Sequence, residues 1–531
     1  MSIDPPLPAS VDVVVIGGGN AGFTAAHAAS VRGRSVLLLE RGDEAESGGN
    51  SYYTAGATRI AHDGLDDLRD IVEPDERHAV TEVPPYSADE YAADLRKVTS
   101  GRNDPAMTDV LVRESRDVLA WLHDLGLRYR LMYERQAYQR DGGGYLFWGG
   151  LHVGNVDGGK GLIADHRAVA ARLGYPVAYG VRVTDFVTEP EQHGTEQGTE
   201  GGAAHVRDAS PVPDASHAPD AARDATPLAV TGVVCVDATG VEHRIRASSV
   251  IVASGGFESS PELRERHLGP GWGSAKVRGT PLNTGELIEA GLRLGAARGG
   301  DWSTAHSVQW DAFHPDNEGN RELTNRFTRQ SYPLGIIVNR DGRRFVDEGE
   351  DFRNYTYAKF GGRILEQPGS IAYQVFDATL RPMLRTEEYD MPGISVVTAD
   401  TIEELAAQLD VDAPGFVRTV REYNDSIDRS IPWDPTVKDG RAAAVEPPKS
   451  NWATPLETGP FFAYPVTCGI TFTFGGLAGD VDGRVLRDDG SAVPGLFAVG
   501  EALGGLFSGN YPGGSGLAAG AVFGRRAGSA A

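Results

Sequence analysis

Val11-Asp-Val-Val-Val-Ile16-Gly17-Gly18-Gly19-Asn20-Ala21-Gly22 decides the fold of this chain. Val11 to Ile16 is a short β-branched apolar run, the composition of a strand buried in a parallel sheet. Gly17, Gly19 and Gly22 fit G-x-G-x-x-G, and the Ala-rich stretch Ala21 to Ala29 reads as a helix. In that pattern the first glycine permits the tight turn and the second lets backbone approach a pyrophosphate. The third packs helix on strand. Asn20 and Ala21 open the helix, whose unpaired N–H groups and positive dipole end suit phosphate. A second strand, Ser35-Val-Leu-Leu-Leu-Glu40, ends in an acid eighteen residues past Gly22. That is the place of a carboxylate accepting ribose hydroxyls, and Glu40 would repel a 2′-phosphate.

Past Arg41 come Ser47-Gly48-Gly49-Asn50-Ser51 and Thr54-Ala-Gly56-Ala-Thr58, small residues that let backbone reach a pyrophosphate and an isoalloxazine ring. Near the other end stand Gly495-Leu-Phe-Ala-Val-Gly500-Glu501-Ala502 and Gly513-Gly514-Ser515-Gly516-Leu517. The second of these opens an Ala/Gly-rich helix, whose N-terminus could stabilise negative charge at N1/O2 of a reduced flavin. Ser254-Gly255-Gly256-Phe257 is a further strand-and-glycine turn that returns the chain to the nucleotide domain. A nucleotide fold begun at one end and finished at the other is typical of flavoenzymes. The expectation is FAD, held by these loops.

A chain of 531 residues exceeds one ordinary core. The reading is α/β: a Rossmann-like FAD-binding domain (1–276 and 453–531) with an inserted α+β substrate-capping domain (277–452). Residues 189–227 carry no Leu, Ile, Met or aromatic side chain and are expected to form a flexible insert at a hairpin tip. The net charge of −24 disfavours nucleic acid and anionic membrane surfaces. Cys235 and Cys468 are the only cysteines and lack metal-ligand spacing, so no metal, disulfide framework or iron–sulfur site is expected. No basic-apolar leader and no apolar run of ~18 residues stands out, which predicts a cytoplasmic protein without direct membrane insertion.

Four stretches together resemble the fumarate reductase/succinate dehydrogenase flavoprotein family, which includes the 3-ketosteroid Δ1-dehydrogenases. They are Gly48 to Thr58, Arg343-Arg-Phe-Val-Asp-Glu-Gly-Glu-Asp-Phe-Arg353-Asn-Tyr-Thr-Tyr357, Cys468-Gly-Ile-Thr-Phe-Thr-Phe-Gly-Gly476 and Asn510-Tyr-Pro-Gly-Gly-Ser-Gly516. Within the family the chain is most similar to FAD-dependent tricarballylate dehydrogenases. The resemblance implies hydride transfer between a substrate carbon and flavin N5, with a proton moving from the adjacent carbon. It also implies an external electron acceptor, a membrane iron–sulfur/cytochrome-type or quinone-linked partner.

By that resemblance Arg353 falls where fumarate reductases place a proton-transferring arginine, and His306 where they bind a carboxylate. An arginine resists deprotonation, so Arg353 is a candidate for proton transfer or for carboxylate binding. Arg329 is a second candidate clamp, and His152 a weaker one. Thr471 and Phe472 stand where fumarate reductases carry a histidine, and Tyr511 where they carry a substrate-binding arginine. Tyr511-Pro-Gly-Gly is more like the ketosteroid dehydrogenases, in which a tyrosine hydroxyl binds the ketone oxygen. The leading expectation is dehydrogenation of a CH–CH bond next to a carboxylate, tricarballylate to cis-aconitate as first guess. The alternatives are a larger ketone or fumarate-like reduction of a C=C bond.

Overall fold

The structure is a computed structural model that describes residues 7–140, 142–191 and 228–531. Its main sheet is assembled from both ends of the chain. Strand Ser10–Ile16 runs parallel to Val36–Leu39 on one side and to Glu242–Val252 on the other. Ala492–Ala498 joins Glu242–Val252 in parallel, and Val177–Ala178 extends the edge beside Val36–Leu39. Val13, Val14, Val15, Leu38 and Leu39 are fully buried, as an apolar run in a covered parallel sheet must be. Helix Asn20–Val31 packs on the C-terminal helix Ser515–Ala530 through alanines and glycines. A Cβ at Gly528 would come within 2.1 Å of the Ala25 carbonyl oxygen, and one at Gly524 within 2.6 Å of that of Ala21. Small residues thus set the approach of the two helices, and this contact brings the N- and C-terminal glycine loops together.

The strands flanking the expected insert pair antiparallel, with Pro190 opposite Leu228. Glu189 and Pro190 belong to the strand itself, and Glu191 pairs with Arg487. Residues 192–227 lie outside the described residues. Between the second and third strands of the main sheet the chain forms a helical layer of Ala88–Val98, Pro105–Asp124 and Gly158–Leu173. Ser87 and Glu90 cap the first of these reciprocally, while Asp104 caps the second ahead of Pro105.

Phe461–Leu477 is the spine of a second sheet. Arg298–Asp311, Ala372–Phe376 and Val397–Ala399 pair with it antiparallel, and Lys276–Val277 pairs parallel. Ile336, Val375, Phe376, Phe416 and Tyr464 belong to a separate core beneath it. The pairing with Arg298–Asp311 slips beside the cavity described below: His306 faces Phe472, but Ser307 faces Ile470. Thr471 is therefore an extra, bulged residue, and a bulge re-aims the side chains around it.

Candidate active site

One continuous cavity runs from the first glycine loop to the second sheet. Gly17, Gly19, Asn20, Ala21, Glu40 and Arg41 line one end, and Arg353, Tyr357, Thr471, Phe472 and Tyr511 line the other. Gly17 has φ +108°, and a Cβ there would lie 2.4 Å from the Ala253 carbonyl oxygen. A Cβ at Gly22 would sit 1.9 Å from the Gly17 carbonyl oxygen, so this glycine serves packing behind the wall. Gly19 is different. Its nearest neighbour in that direction is Ser51 Oγ at 3.5 Å, which leaves the room a pyrophosphate needs. The helix it precedes has no side-chain cap and no acid in its first turn. The Glu40 carboxylate accepts from the N–H groups of Gly18 and Gly42 at 2.6 and 2.8 Å, which fixes it at the cavity edge.

The flavin-side loops converge on the same cavity. Gly49, Asn50, Ser51, Thr54, Ser254, Gly255, Gly500, Glu501, Gly514, Gly516 and Leu517 line it, while Gly48, Gly56 and Ser515 stand just behind. Asn50 Nδ2 donates to the Thr471 carbonyl and to Glu258 Oε1, each at 2.6 Å, tying this loop to the bulge. Glu501 Oε1 accepts from Thr473 N–H at 2.7 Å. Gly514, in the left-handed region, precedes a second helix that has neither a side-chain cap nor a first-turn acid. Two open helix N-termini, and glycines whose side chains would intrude, fit FAD along this groove.

At the far end the Tyr357 and Tyr511 hydroxyls are 2.6 Å apart. Burial pushes both phenols above their ordinary pKa, Tyr511 strongly, so both stay protonated near neutrality. Arg353 Nη1 donates to Gln330 Oε1 at 2.6 Å and Nη2 to the Arg135 carbonyl at 3.4 Å, both neutral acceptors. Burial and the neighbouring charge of Arg385 pull its guanidinium down to about 10. Arg135 and Arg385 themselves pair with Glu387 at 2.6 and 3.0 Å.

Three expected positions fall elsewhere. His306 does not line the cavity: it lies one layer behind, stacked on Phe472 with ring centroids 5.1 Å apart and edge-on to Tyr511. Neither ring nitrogen has a partner, and burial together with Arg278 holds the imidazole well below its usual pKa, hence neutral. Tyr357, Phe472 and Tyr511, which do line the cavity, pack around the His306 ring. Arg329 is fully buried and donates to Asp311 at 2.5 Å, so its charge is already matched beside the second sheet. His152 pairs with His62 at 2.9 Å and is likewise off the cavity wall. Conversely, Arg278, Gln330, Arg135 and Tyr357 line the cavity without having been singled out from sequence. Tyr357 closes a motif already quoted, whereas Arg278 has no local signal at all.

A glycine-loop fold with a polar, arginine-bearing pocket at the flavin end defines a flavoprotein oxidoreductase. The chain belongs to the family described as FAD binding domain, which matches residues 12–517. It is 26% identical over 532 residues to a fumarate reductase (cytochrome) of Shewanella frigidimarina, covering 98% of this chain and 77% of that one. It is 27% identical over 537 residues to a 4-oxocyclohexanecarboxylate 2-dehydrogenase of Sinomonas cyclohexanicum, covering 94% and 89%. The fold matches the crystal structure of a 3-ketosteroid Δ1-dehydrogenase from Sterolibacterium denitrificans with a TM-score of 0.71 at 20% identity, covering 98% of this chain and 99% of that one. The expected α/β flavoprotein fold, FAD as cofactor, and membership alongside the fumarate reductases and ketosteroid dehydrogenases are borne out. The protein is an FAD-dependent oxidoreductase of the kind that acts on CH–CH bonds.

Proposed function

We propose that the protein dehydrogenates the CH–CH bond next to a carboxylate of a small organic acid. The supporting observation is Arg353, a guanidinium on the cavity wall beside the Tyr357–Tyr511 pair whose hydrogen-bond partners are all neutral. Bound FAD would supply the hydride acceptor for this reaction. The proton from the adjacent carbon passes to Arg353 in its neutral form, which burial makes more accessible than for an exposed arginine. The Tyr511 hydroxyl donates to an oxygen of the activating group and thereby acidifies that C–H. In this reading residues 277–452 cap the cavity, and residues 1–276 and 453–531 hold FAD.

Tricarballylate is the first substrate to test. A second reading, a ketone that also carries a carboxylate, is favoured by the paired tyrosine hydroxyls, which suit a ketone oxygen. The Sinomonas relative is named for a substrate of that kind. An external protein or quinone-linked acceptor would reoxidise the flavin in a cytoplasmic protein. Among the described residues no helix is long and apolar enough to cross a membrane, and no group of three or more His, Cys, Asp or Glu is placed to hold a metal. Anaerobic bleaching of the flavin against tricarballylate, succinate, 4-oxocyclohexanecarboxylate and a 3-ketosteroid tests the proposal. Bleaching by the steroid alone would sink it.

A further inference from the structure

Buried arginines in this protein mostly have their charge met. Arg329 has Asp311, Arg344 has Glu348, Arg59 has Asp94, Arg135 and Arg385 share Glu387, and Arg264 donates to the Glu258 and Gly273 carbonyls at 2.5 and 2.6 Å. Arg278 departs from that pattern. It lines the cavity and is 9% exposed, and among the described residues no carboxylate pairs with it. The guanidinium makes one side-chain hydrogen bond, from Nη1 to Thr471 Oγ1 at 2.9 Å, and Nε has no partner. A charge removed from water without a counter-ion is unfavourable, and burial accordingly pulls this guanidinium below arginine's ordinary pKa.

The residue is nonetheless held in place. Its backbone N–H donates to the Ile470 carbonyl at 2.7 Å, and the bulged Thr471 turns its hydroxyl to meet the side chain. The ionisable groups around it are Tyr357, Tyr511 and the Glu388 carboxylate, which is itself paired with Arg385 at 3.1 Å. Asn50 of the second glycine loop accepts from Thr280 N–H at 2.9 Å, two residues on, so the cofactor is the competing anion, and FAD retention in Arg278→Gln separates the two.

We infer that Arg278 binds a substrate carboxylate at the Tyr511 end of the cavity. One carboxylate oxygen meets the guanidinium, and the other accepts from the Tyr511 hydroxyl. The group next to the reacting CH–CH bond is then an acid, not a neutral ketone. The inference rests on the dehydrogenase reading of this cavity and deepens it: Arg353 is left for proton transfer, and the anionic group has its own cation.

The test is binding without turnover. Oxidised holoenzyme is titrated with malonate and with benzoate, neither of which has a saturated CH–CH bond to oxidise, each against its neutral amide, following the flavin absorbance. Wild-type protein should prefer each acid by about tenfold or more, the scale of a charge-assisted hydrogen bond. Arg278→Gln should bring the preference to near unity with FAD retained, while Arg278→Lys keeps part of it. Thr471→Val, which frees the guanidinium without removing it, should lower the preference and serves as the second variant should Arg278→Gln lose FAD. An undiminished preference in Arg278→Gln overturns the inference, and so does a wild-type protein without any preference. If Arg278→Gln loses FAD, an undiminished preference in Thr471→Val overturns it too. Failure of the dehydrogenase reading looks different: wild-type flavin would not bleach with any of the candidate acids, with the acid preference intact and still dependent on Arg278.

Discussion

Tyr357 and Tyr511, 154 residues apart in the chain, share a hydrogen bond of 2.6 Å on the cavity wall. Tyr357 follows the 3-10 turn Arg353–Tyr355, and Tyr511 precedes the C-terminal helix. The bond therefore joins the segment after that turn to the segment before the C-terminal helix, on the wall of the cavity.

Removing one hydroxyl from this pair should impair chemistry and spare cofactor binding. Tyr511→Phe is expected to keep FAD and to slow flavin reduction by about 10²-fold or more, the scale of a lost hydrogen-bond donor at an activated oxygen. Tyr357→Phe should slow it less, because Tyr511 can still reach the substrate. Stopped-flow reduction of the two variants compares them directly, and equal wild-type rates would remove the pair from the mechanism.

The pH profile tests Arg353. A base must be deprotonated to act, and burial brings this guanidinium down to about 10. Below that pH the neutral fraction rises about tenfold per unit, so flavin reduction by a saturating substrate should climb with pH towards about 10 and then level off. A plateau already reached at neutral pH would exclude Arg353 as the base. Arg353→Lys should collapse turnover while substrate still perturbs the flavin spectrum.

Gly19 and Gly22 should fail in different ways. Gly19→Val projects into open cavity and should abolish FAD binding while the apoprotein stays folded. Gly22→Ala sets a methyl against the Gly17 carbonyl oxygen and should cost about 2 kcal/mol of stability, or more, even without FAD. Thermal melting of the apoproteins separates the two, and equal melting temperatures would contradict the packing role of Gly22.

Arg329→Met should behave as a stability variant. It leaves Asp311 buried without its cation, a loss of about 3 kcal/mol or more, with the acid-over-amide preference of the folded fraction unchanged. A lost preference at unchanged stability would return Arg329 to the substrate site.

The cofactor half of this protein was legible in the chain. The glycine loops, the helix that follows each, and Glu40 act through backbone geometry within a few residues, so local order in the chain carries their meaning. Residues 17–22, 40 and 48–56 accordingly lie on or just behind the cavity wall. The reaction end was legible only where a family motif ran through it, as at Arg353, Thr471 and Tyr511. The tertiary structure alone decided which charges are spent and which are free. Asp311 and Arg329 are eighteen residues apart, and their pairing removes a candidate clamp. Arg278 reaches Thr471 across 193 residues and remains without an acid. His306 pairs with Phe472 across two strands and stacks on its ring, off the cavity wall. Burial and counter-charge are properties of the packed whole, and no spacing within the chain encodes them.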